Sequence, residues 1–62
     1  MPKQHILLVE DDNALLRGVT DLLEMAGYDV SQATDGVAAL GMMEEMRYPP
    51  DLIVSDIGMP HM

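Results

Sequence analysis

The sequence predicts an α/β fold: three parallel strands in the order 2-1-3, with helices in the crossovers. Three observations carry this. "ILLV" at 6–9 and "LIV" at 52–54 are apolar without alternation, as strands buried on both faces are. Two intervening stretches repeat apolar residues at spacings of three and four, each behind an acidic or hydroxyl residue able to cap a helix. The elements therefore alternate strand, helix, strand, helix, strand, and right-handed crossovers turn that alternation into a parallel sheet.

In chain order, "HILLVE" predicts the first strand at about 4–10. "DDNALLRGVTDLLEMAG" predicts a helix at about 13–26, with Leu15, Val19, Leu22, Leu23 and Ala26 on one face and Arg17, Asp21 and Glu24 turned away. Asp12 or Asn13 can cap its start, and Gly27 stands where helices end on a left-handed residue. "YDVSQA" predicts a second strand at about 28–33; Asp29, Ser31 and Gln32 suit an edge better than a strand covered on both faces.

"TDGVAALGMMEEMRY" predicts a second helix at about 35–47, capped by Thr34 or Asp35 and stopped by Pro49 and Pro50. Its expected apolar stripe is Val37, Leu40 and Met43, extended by Ala39 and Met46. Met42, Met43 and Met46 are read as core fillers and not as soft-metal ligands. "DLIVSD" predicts the third strand at about 51–56. In the order 2-1-3 it is an edge, yet as apolar as an internal strand, so something should pair with it or cover it.

Composition narrows the function classes. Sixty-two residues allow one small domain, and a chain of this size buries only about 60% of its unfolded surface. No cysteine is present, which excludes disulfides and thiolate metal sites and fits a cytoplasmic protein. A net charge of −8 argues against direct binding to nucleic acid or to an anionic membrane, and no apolar run is long enough to span one. His5 and His61 stand alone near opposite ends and make a poor metal pair.

The chemistry gathers where strands end. In a parallel sheet all carboxyl ends share one rim, where ligands of such folds bind. The first strand runs into Glu10, Asp11 and Asp12, and the third into Asp56. Carboxylates held close raise one another's pKa unless a cation neutralises them, and a hard divalent ion such as Mg²⁺ suits an all-oxygen set. Beside such an ion an aspartate can act as a nucleophile toward phosphorus. A haloacid dehalogenase-type phosphatase would also use an aspartate and Mg²⁺, but it needs Asp-x-Asp on the first strand. "EDDN" offers Asp11 followed two places on by Asn13, so an enzyme of that kind is not expected.

"ILLVEDD" before a helix and "DLIVSDIGMP" after the second helix together resemble the receiver domain of bacterial two-component response regulators. The resemblance implies the first half of a flavodoxin-like (βα)5 fold, with Asp56 as the phosphoacceptor for a sensor histidine kinase. It implies Mg²⁺ held by Glu10, Asp11, Asp56 and the backbone carbonyl of Gly58, with Asp11 direct, Glu10 through water and Asp12 secondary. Met59 and Pro60 match the turn that follows.

A receiver of that family has five strands and five helices, about twice this length. On that basis residues 1–62 are expected to be a truncated receiver domain. The family's later hydroxyl residue and lysine have no counterpart here, because Lys3, the only lysine, precedes the first strand. Such a half domain is expected to form a homo-oligomer through its bare third strand and to lack the ability to switch. The alternative is a structural fragment that assembles without phosphotransfer.

Overall fold

The computed structural model describes residues 3–55. Five elements follow the expected order: β1 His5–Val9, α1 Asn13–Met25, β2 Asp29–Ala33, α2 Gly36–Glu45 and β3 Leu52–Ser55. The sheet is parallel in the order β2-β1-β3, so the most apolar strand is central. Val9 lies opposite Ala33 on one side and Ser55 on the other, which brings three strand ends to one rim. Ile6, Leu7, Leu8 and Val9 are all buried, as an unbroken apolar run in a covered strand requires.

The helices take opposite faces. Gln32, in register with Leu8, donates from Nε2 to Oγ1 of Thr20 at 2.7 Å, which fixes α1 on the face of Ile6 and Leu8. Thr20 Oγ1 in turn donates to the Leu16 carbonyl at 2.6 Å. On the other face Leu7, Val9, Ala33 and Ala39 form the core cluster, with Ala38, Met42 and Met43 of α2 and its C-cap residue Met46 packed against it. The methionines fill the core as expected. Neither helix packs on β3.

The local signals sit where chain chemistry puts them. Asp12 caps α1 through Oδ1, accepting from the N–H groups of Ala14 at 2.9 Å and Leu15 at 3.2 Å. Asp35, not Thr34, caps α2 by accepting from Ala38 N–H at 2.7 Å. Gly27 ends α1 at φ 102°, a conformation that costs a residue with a Cβ. α2 stops at Glu45, two residues earlier than the prolines suggested, because Met46 is already extended at ψ 136°.

Each polar residue of β2 has its own place. Asp29 is exposed, Gln32 reaches Thr20, and Ser31 Oγ lies 2.7 Å from Nε2 of His5. His5 is therefore a strand-to-strand tie.

Both helical stripes differ from the sequence reading. α1 buries Leu16 and Thr20, while Leu15, Leu22 and Ala26 are exposed and Val19 and Leu23 half-buried. The doublets Leu15–Leu16 and Leu22–Leu23 offer two registers, and the Thr20–Gln32 hydrogen bond selects the one with a polar residue inside. α2 buries Ala39 and turns Val37 (81% exposed) and Leu40 (61% exposed) outward. Ala38 and Ala39 are small enough to let the helix close on Ala33, and Met42, Met43 and Met46 then fill the space beside them.

Candidate functional site

The rim of the sheet is built from the residue after β1. The Glu10 N–H donates to the Ala33 carbonyl at 3.0 Å, extending the β1–β2 ladder by one bond and drawing Glu10 inward. Its side chain is only 7% exposed. A carboxylate so placed needs partners, and its Oε1 accepts from the backbone N–H of Asp12 at 3.0 Å. That bond folds the chain back over Glu10 and aims it into α1. Asp11, at the apex of this turn, is exposed.

The three acids thus have three environments. Glu10 is buried and hydrogen-bonded, Asp11 is open to solvent, and Asp12 is taken up by the first turn of α1. Of the two roles expected for Asp12, helix cap and secondary partner of the acidic pair, the structure displays the cap.

The third side of the rim is the end of β3. Ser55 stands opposite Val9, so the β3 strand arrives beside the strand that delivers Glu10 and Asp11. Asp56 follows Ser55 in the sequence, and Asp56, Gly58, Met59, Pro60 and His61 lie outside the described residues. Among the described residues no three His, Asp or Glu side chains gather into a metal-holding group. The donors the rim does present, Glu10 and Asp11, are hard oxygens of the kind Mg²⁺ prefers.

A family model covers most of this sequence. Residues 6–62 match the response regulator receiver domain, from the first buried residue of β1 through "DIGMPHM". The chain belongs to the receiver domain family. Relatives of this receiver include the sensor kinase CckA of Brucella abortus, 46% identical over 57 residues that cover 92% of this chain and 6% of that protein. The DNA-binding dual master transcriptional regulator RpaA of Synechocystis is 43% identical over 60 residues, 97% of this chain and 23% of the relative. The polar-differentiation response regulator DivK of Brucella anthropi is 38% identical over 60 residues, 97% of this chain and 46% of the relative.

The receiver spans less than half the length of each of these proteins. No solved structure matches it. No described helix is long and apolar enough to cross a membrane.

Sequence reasoning missed one contributor to the geometry of the rim, the Asp12 N–H that pins Glu10. No side-chain pattern announces a backbone donor; the signal was an acid two residues before a cap.

Proposed function

We propose that this receiver module accepts a phosphoryl group on Asp56 from a sensor histidine kinase in the cytoplasm. The observation that supports it best is the β1–β3 register. Val9 opposite Ser55 brings the end of β3, which Asp56 follows in the sequence, beside the strand that leads into Glu10 and Asp11. The Asp56 carboxylate attacks the phosphorus, an O–P bond forms, and the P–N bond to the donor imidazole breaks with its electron pair leaving on nitrogen. Mg²⁺ would be held by Glu10, Asp11, Asp56 and the Gly58 carbonyl, and when bound it offsets charge on the transferring group. Glu10, buried and pinned, orients the set, and exposed Asp11 offers the direct ligand.

Intact mass after incubation with acetyl phosphate and Mg²⁺ tests this, with Asp56→Asn as control. One added phosphoryl group, absent from the control, is the expected result. A folded protein that gains none overturns the reading.

A second reading is favoured by the sheet edges: self-association through β3. β2, one edge, carries Asp29, Ser31 and Gln32, which discourage pairing. β3, the other edge, has no charged residue, and Leu52 and Ile53 are 55% and 50% exposed. A second copy adding its β3 to this one would extend the sheet. A monomer by sedimentation at tens of micromolar would sink this reading.

A further inference from the structure

Apart from two alanines, every side chain that α2 and its C-cap residue Met46 pack on the sheet cluster is a methionine. Ala38 and Ala39 contribute one methyl group each, so nearly all the apolar bulk comes from Met42, Met43 and Met46. The aliphatic residues of the same helix, Val37 and Leu40, face outward. Oxidisable groups are inside and inert ones outside.

The three methionines are packed but within reach of solvent, each being half-buried. Met43 lines an open groove of about 490 Å³ with Val37, Leu40, Ile53 and Ser55. Met46 lines another hollow, about 640 Å³, with Lys3, His5 and Tyr48. A small neutral oxidant can therefore reach α2 from both ends.

We propose that Met42, Met43 and Met46 form a peroxide-sensitive latch, whose oxidation to sulfoxides releases α2 from the sheet. In each step a sulfur lone pair attacks the terminal oxygen of hydrogen peroxide. The O–O bond breaks, an S–O bond forms, and after proton transfer the second oxygen leaves as water. Sulfur is oxidised and peroxide reduced. The product is a polar, chiral group that disrupts apolar packing unless a donor pairs with it. The cluster of Leu7, Val9, Ala33 and Ala39 offers it no side-chain donor.

α1 is held differently, by Leu16 and the Gln32–Thr20–Leu16 hydrogen bonds, none of which peroxide alters. Nothing in the latch depends on Asp56.

The test combines hydrogen peroxide treatment of the whole chain with peptide mapping and amide hydrogen exchange. Met25, 83% exposed on α1, is the internal control for reactivity. It gains oxygen first, with no change in exchange. Once Met42, Met43 and Met46 are oxidised, α2 amides exchange at least about tenfold faster while α1 changes less than about twofold.

The Met42→Leu/Met43→Leu/Met46→Leu variant conserves volume and keeps α2 protected under peroxide. Should the triple variant not fold, Met43→Leu alone retains part of that protection. The proposal is overturned if α2 protection survives full oxidation or if α1 and α2 loosen together. It is overturned equally if leucine variants respond like the parent.

Discussion

The backbone N–H of Asp12 donates to Oε1 of Glu10 at 3.0 Å, so the buried acid and the helix cap belong to one turn. Glu10→Gln keeps an oxygen acceptor there, and the fold should survive with little loss. Glu10→Ala leaves the Asp12 N–H without that partner and should cost about 1–3 kcal/mol, read by urea denaturation. If Glu10 orients the metal set, Glu10→Gln should also weaken Mg²⁺ binding about 10–100-fold. Equal Mg²⁺ affinity in the two proteins would remove Glu10 from the set.

Asp12 has a separate, measurable role. Its Oδ1 holds two N–H groups of the first turn of α1. Asp12→Ala should cost about 1 kcal/mol, and Asp12→Asn much less, because asparagine caps nearly as well. Equal denaturation midpoints for alanine and aspartate at 12 would contradict the cap.

What could be read from the sequence, and what could not, follows from where information is local. The strands of β1 and β3 were legible because unbroken apolar runs have few other homes, and the order 2-1-3 followed from the polar middle strand. The caps were legible to within one residue, Asp12 or Asn13 and Thr34 or Asp35, and the terminator Gly27 outright, because each acts within a few residues. Helix faces were not. In α1 two leucine doublets gave two registers, and the buried member, Thr20, is polar until its partner Gln32 is known. α2 is apolar on most of its sides, so spacing put Val37 and Leu40 in one stripe with Ala39, Met43 and Met46, and only the last three pack on the sheet. Of the candidate site, the structure describes only that Glu10 and Asp11 follow β1 at the rim, while Asp56 and Gly58 lie outside the described residues.

Gly18 and Gly41 sit inside α1 and α2, and a Cβ built at either meets nothing within 4 Å. Close packing is therefore not the reason for glycine at these positions. Gly18→Ala and Gly41→Ala should each stabilise the protein by up to about 1 kcal/mol through the lower entropy of the unfolded chain. Thermal melts of the two variants check this. A lower melting temperature in either would show that the position serves something beyond the helix.

Leu52 and Ile53 are half exposed on opposite faces of β3, and neither helix packs on this strand. Lysine on an edge strand opposes edge-to-edge pairing by placing a charge where a partner strand would desolvate it. Ile53→Lys should therefore shift the sedimentation profile of an associating protein toward monomer. The change should cost the monomer only about 1 kcal/mol, since half of the side chain already lies in water. Leu52→Lys makes the same test from the α1 face of the sheet. If both variants associate as the parent does, pairing through β3 is wrong and the contact lies on a helix face. The exposed Leu15 and Leu22 of α1 would then be the next pair to charge.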